Sequence, residues 1–176
     1  MPVRFASYQR LGRADQALYR ASDGLTGVEL GHDVDELRAL TDAIAGALAS
    51  QRCEEVRAAS LRLCSALCAR LDVRSPSLKV LRVRPRQADD SELHGLYTTG
   101  PRARPLIRVW MRTAAQRRVV AFRTFVRTLL HELCHHLDFE LYGLPESFHT
   151  LGFFKRESSL MRQLVVAGAA AAASAS

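Results

Sequence analysis

The stretch His131-Glu132-Leu133-Cys134-His135 sets two imidazoles and a carboxylate at the spacing of an HExxH motif. On a helix, positions i and i+4 share one face a turn apart, so His131 and His135 can reach a single metal ion. Glu132 projects about 100° away from His131, where it can hold a water on that metal rather than the metal itself. The chemistry implied is metal-assisted hydrolysis. It needs two neutral nitrogen ligands, a carboxylate base beside an open coordination position, and one rigid element to carry all three.

A third ligand has to come from beyond this helix. Glu146, His149 and Glu157 are the candidates. His149 is favoured, because Ser147 to Phe153 is a short segment after a turn that can fold back under the helix. The expected site is therefore His131, His135 and His149 around zinc, with Glu132 as general base and Glu146 or Glu157 as alternative third ligands. Asp138, three residues after His135, faces the same side and is a candidate to orient that imidazole. Tyr97 and Tyr142 are the candidate oxyanion helpers. His136 is turned about 100° from His135 and is left out of the site.

The helix that positions these groups is readable. Val119, Phe122, Phe125, Val126, Leu129, Leu130, Leu133 and Leu137 recur at helical spacing, forming an apolar stripe. Gly143 followed by Leu144-Pro145 is a helix stop. The pattern predicts a helix from about residue 118 to Tyr142.

The segment from His131 to Phe153 resembles the catalytic core of SprT-like zinc metallopeptidases, the group that includes the Spartan proteases. That family places Cys before the second His of the motif, as Cys134 stands here, and follows it with a His-x-x-x-Phe/Trp segment, matched by His149 and Phe153. Thr150 stands where the family has Gly, His136 replaces a commonly small residue, and no four-cysteine zinc ribbon follows. The resemblance spans roughly residues 78 to 165. It implies an α+β, zincin-like fold, with a small mixed sheet of about three strands packed on the active-site helix, N-terminal helices, and a peptidase activity. It also implies that the strand just before that helix, Leu106-Ile107-Arg108-Val109-Trp110-Met111, lies at the sheet edge and binds an extended peptide or protein substrate by strand addition.

The remaining chain bounds this reading. At 176 residues, one domain is expected, and 48% hydrophobic with 24% charged residues is ordinary globular composition. No apolar run approaches the roughly 18 residues that span a bilayer, and Met1 to Phe5 lacks a signal-peptide core, so a cytoplasmic protein with no membrane partner is expected. The net charge of +7 is almost all arginine and scattered, and no aromatic platform accompanies it. Nucleic acid is thus a weakly supported partner, and the alternative reading is a metal-binding, nucleic-acid-associated module with little or no turnover. Other water chemistries fit less well. Deformylase-like enzymes need an upstream Cys in a Gly-rich segment, and endoribonucleases of the His-x₃-His-x₅-His type need His where Leu141 stands. Cys64 and Cys68 lie at i,i+4 in an apolar stretch and read as core, as does Cys134.

Along the chain, residues 1–31 are an undefined N-terminal arm, with a short helix from Leu11 to Tyr19 and a loop from Ser22 to Gly31. Residues 32–166 form the metallopeptidase domain. Two helices, one opening at Asp33 and one from about Glu54 to Leu71, precede strands at Leu78–Arg84, His94–Thr99 and Leu106–Met111. A final helix is expected from Phe154 to Val166. Arg86 to Glu92 reads as a polar loop, and residues 167–176 as a disordered Ala/Ser tail.

Overall fold

A computed structural model describes residues 8–85, 93–100 and 102–166. The expected polar loop and the Ala/Ser tail fall outside these residues. A 3₁₀ turn, Tyr8–Arg10, leads into helix α1 (Arg13–Gly24), followed by α2 (Asp35–Ala49) and α3 (Cys53–Arg70). Strands β1 (Ser77–Val83), β2 (Gly95–Gly100) and β3 (Ala103–Arg112) come next, then α4 (Phe122–Glu140) and α5 (Leu151–Leu164). The chain is α+β with a three-stranded mixed sheet.

Helix α2 opens with Asp35 and Glu36 in its first turn, where carboxylates complement the positive end of the helix dipole. It buries Leu37, Thr41, Ile44 and Leu48. Its boundary with α3 is a true break: Gln51 takes φ of +58°, a left-handed conformation that no helix continues through. Helix α3 buries Val56, Leu63, Cys64, Leu67 and Cys68 as one stripe. Both cysteines are free and enclosed by apolar neighbours, and burial pushes the Cys68 thiol up to about 11.

The strand order is β1-β3-β2, with β1 parallel and β2 antiparallel to β3. This overturns the edge position expected for Leu106–Met111. Both sides of that strand are paired, Leu106 with Ser77 and Thr98, and Val109 with Val80 and Gly95. Its backbone groups are therefore spent within the sheet, and an added peptide has nothing to pair with there. The physical reason lies in its side chains. Val109, Trp110 and Met111 are consecutive and all buried, the mark of a strand covered on both faces. Among the described residues, β2 pairs only with β3, and it lies beside α4.

Helix α4 begins four residues later than its apolar pattern suggests. Val119 and Val120 are extended instead, with Val119 bridged to Arg112 and the Val120 N–H donating to the Met111 carbonyl at 2.8 Å. Arg117, at φ +51°, makes the reversal that brings them back along the end of β3. From Phe122 onward the stripe performs as expected, burying Phe125, Val126, Leu129, Leu130, Leu133, Cys134 and Leu137. Each large apolar side chain so enclosed contributes about 1.5–3 kcal/mol.

The N-terminal residues are joined to this core. Val28 and Leu30 are each 1% exposed. The Gln163 side chain of α5 clasps their backbone, donating to the Val28 carbonyl at 2.7 Å and accepting from the Leu30 N–H at 3.2 Å. Helix α1 lies against α5 so closely that a Cβ on Gly152 would collide with the backbone of Ser22 and Asp23.

Candidate metal centre and active site

Helix α4 and the segment that follows it deliver three imidazoles to one point. His131 and His135 stand one turn apart on α4. At the end of that helix Gly143 takes φ of +61°, and the Leu144 N–H donates to the Asp138 carbonyl at 2.8 Å, turning the chain back. Pro145 to Phe148 then run back to His149. Thr150 caps α5, its Oγ1 accepting the Phe153 N–H at 3.0 Å. A hydroxyl residue at this position thus fixes the start of the helix that follows His149.

The Nε2 atom of His149 lies 3.0 Å from the Nε2 of His131 and 3.0 Å from the Nε2 of His135. Glu146, the first alternative ligand, lines the same cleft without joining these atoms. Glu157, the second, meets the opposite side of a ring: its Oε2 accepts from His131 Nδ1 at 2.9 Å. Because a carboxylate only accepts, this bond leaves the His131 Nε2 with a lone pair. His135 is fixed the same way. Ser147 Oγ donates to Asp138 Oδ2 at 2.6 Å, so it accepts from His135 Nδ1 at 2.7 Å.

These tautomers decide what the cluster can hold. The lone pairs of His131 and His135 both point at His149 Nε2, which has at most one proton to offer. One of the two acceptors is left for a water from the cleft or for a cation seated among the three nitrogens. Tetrahedral zinc, with Zn–N near 2.0–2.1 Å, sets its donors about 3.3 Å apart, close to the two 3.0 Å spacings here, with all three nitrogens within 4.8 Å of one another. His131, His135 and His149 therefore fit a divalent metal by geometry and by donor chemistry. Burial, with the neighbouring His131 and His149 rings adding to it, pushes His135 down to about 3. Burial lowers His149 as well. Neutral rings are the form that ligates.

The ring of Phe153, 0% exposed, floors the cluster with its centroid 4.9 Å from that of His131 and 4.7 Å from that of His135. Behind His135 stands a buried ion pair. Asp138 Oδ1 accepts from the Arg156 guanidinium at 2.7 Å, and Arg156 also donates to the Ser22 carbonyl at 2.7 Å. Asp138 does orient His135, but through Ser147 rather than directly. Behind His131, Arg127 donates to Glu157 at 3.3 Å.

Glu132 occupies the neighbouring position, packed against strand β2. Its side chain is largely buried, and burial raises its carboxyl to about 7 against the opposing pull of His131 and of a backbone hydrogen bond from Tyr97. The cleft around it, about 1180 Å³, is walled by residues 93–100 on one side and by the three histidines, Phe139 and Pro145 on the other. Neither candidate tyrosine offers a free phenol. Tyr97 donates to His136 Nδ1 at 3.2 Å, while His136 Nε2 donates to the Arg74 carbonyl at 2.6 Å. Tyr142 donates to the Gly27 carbonyl at 3.1 Å, away from the cleft. His136 is thus a satisfied core histidine, 0% exposed.

Spacing found His131, Glu132, His135 and His149 in the sequence; it missed Ser147, Arg156 and the role of Glu157. A serine after a turn and an adjacent arginine and glutamate in a helix carry no distinguishing pattern. Among the described residues no helix is long and apolar enough to cross a membrane. No protein-family model, no curated protein and no solved structure matches the chain.

Proposed function

We propose that the protein is a zinc-dependent hydrolase of peptide bonds, of the SprT-like, zincin kind. The observation that carries this reading is the convergence of three imidazole nitrogens beside a buried carboxylate, in a cleft walled by β2, which pairs only with β3 among the described residues. A bound zinc ion would supply Lewis acidity, lowering the pKa of a water to about 7 and polarising a carbonyl.

The chain's own residues do the rest. His131, His135 and His149 present neutral nitrogens, with Glu157 fixing the tautomer of His131 and Ser147, backed by Asp138, fixing that of His135. Glu132 accepts a proton from water and returns it to the leaving amine nitrogen. A carboxyl poised near neutrality suits both halves of that task, and such general acid–base work contributes about 10²–10⁴-fold. An extended peptide adds to the edge of β2 away from β3, where backbone pairing gives affinity with little side-chain selectivity and sets the scissile amide beside Glu132.

The test is metal content and casein hydrolysis of wild type beside His149→Ala, Glu146→Ala and Glu132→Gln. One zinc per chain, lost in His149→Ala and retained without activity in Glu132→Gln, is the expected result. Loss of metal from Glu146→Ala would replace His149 with a carboxylate ligand. Unchanged metal content in every variant would remove the metal centre altogether.

A further inference from the structure

Beside the larger cleft, and sharing Arg127 with it, lies a second concavity of about 410 Å³, between α2, α4 and α5. Arg38, Arg123, Arg127 and Arg162 stand around it, with the Ser158 hydroxyl on its wall and Met161 and Val165 as apolar lining. Two of these guanidinium groups are partly engaged, Arg38 with Asp35 at 3.0 Å and Arg127 with Glu157 at 3.3 Å. Arg123 and Arg162 have no carboxylate partner among the described residues. Four cations thus face one concavity with two carboxylates between them.

The arrangement runs against what helices favour. Arg123 and Arg127 are like charges one turn apart on α4, and Arg123 lies in its first turn, at the positive end of the helix dipole, where α4 carries no acidic residue. An anion in the concavity relieves both costs, since it screens the guanidinium groups from one another and meets the dipole with the right sign.

We propose that this arginine-lined concavity is a binding site for a phosphoryl dianion, either free phosphate or a phosphomonoester on a peptide. A planar carboxylate satisfies one guanidinium fork, whereas a tetrahedral phosphoryl group offers three oxygens to several forks at once. The arginines surround one compact pocket instead of forming a track, which disfavours the repeated phosphodiesters of a nucleic acid strand. Arg127 lines both this site and the larger cleft, so a ligand here lies beside the metal centre without touching its histidines. The site stands whether or not the neighbouring centre hydrolyses peptides.

The experiment is calorimetric titration of the full-length, zinc-loaded protein with three probes at matched ionic strength: inorganic phosphate, a phosphoserine peptide, and a single-stranded oligonucleotide without terminal phosphate. Arg123→Gln/Arg162→Gln is compared with wild type, and Lys79→Gln/Arg82→Gln on β1 serves as the control for loss of two charges alone. Saturable phosphate binding is expected, weakened at least tenfold in the double variant and unchanged in the control, with zinc content equal in all three proteins. Binding of both phosphate and phosphopeptide extends the site to phosphomonoesters on peptides; binding of phosphate alone restricts it to the free ion. Equal phosphate affinity in wild type and the double variant overturns the proposal. So does tight binding of the oligonucleotide with none of phosphate.

Discussion

Gly95 and Glu132 are in such close register that no other residue fits at position 95 while the carboxylate keeps its place. A Cβ there would stand 2.7 Å from the Glu132 Cγ and 2.8 Å from its Cδ. The strand edge and the proposed base are therefore positioned by each other. Glu132 is shielded from water because β2 comes this near, and β2 comes this near because one of its residues lacks a side chain.

Gly95→Ala should consequently displace Glu132 while leaving the histidines undisturbed. Hydrolysis of casein is expected to fall by 10²-fold or more, within the usual worth of a general base, with zinc content unchanged. Retained activity in a folded Gly95→Ala protein would mean that Glu132 does not act from the position seen here.

Removing the carboxylate behind His131 tests a different link. Glu157→Gln keeps the size of the side chain but no longer demands a proton on His131 Nδ1, so the ring is free to take the wrong tautomer. Zinc affinity, measured by competition with a chromophoric chelator, should drop by about 10–100-fold. Arg127→Gln, which removes one donor to Glu157 and leaves its carboxylate on His131, should cost less than Glu157→Gln.

The ion pair between Asp138 and Arg156 is 0% and 1% exposed at its two side chains, and its guanidinium also serves the Ser22 and Leu25 carbonyls. Arg156→Met strands a buried carboxylate and two backbone acceptors. A loss of about 3–5 kcal/mol is expected in urea unfolding of the metal-free protein. Arg156→Met with Asp138→Asn should recover part of that loss, because the stranded charge is gone.

His136 gives the fold a pH dependence. Burial lowers its pKa below the usual 6.5, against a raising hydrogen bond to Arg74. The folded state thus excludes a proton that the unfolded chain binds. The resulting stability is complete above about pH 6.5 and is lost as pH falls from there toward the depressed folded value. In chelator, where the ligand histidines titrate alike in both proteins, His136→Gln should flatten the fall in stability between pH 6.5 and 5 by up to about 1.4 kcal/mol per pH unit. An identical slope would show that His136 is not the group responsible.

What could be read beforehand follows from how local each signal is. His131, Glu132 and His135 sit within five residues on a helix announced by its own apolar stripe, and the two helices of α2 and α3 declare themselves the same way. His149 was legible because a Gly-Pro turn limits where the chain can go next. Sheet order is a different kind of fact. Leu106 to Met111 could be recognised as a strand, but its central place depends on β1 lying parallel beside it, a pairing between residues some 29 positions apart (Ser77 with Leu106) that no local pattern encodes. The start of α4 was misjudged because Val119 and Val120 suit a helix stripe and a strand end equally well. The partners of the ligand histidines were invisible for a related reason: Ser147, Arg156 and Glu157 acquire their roles only once α5 is laid against α4.

The clasp of Arg156 on Ser22 and Leu25 joins points 134 and 131 positions apart in the chain, and the same guanidinium steadies the carboxylate that, through Ser147, aims His135. During synthesis, residues 22–25 leave the ribosome long before residue 156 does. The ligand geometry therefore cannot settle until nearly the whole described chain has emerged, and α1 waits for a partner made more than 130 residues after it. The metal site, and any hydrolysis that depends on it, would in this way be delayed until the chain around it has been made.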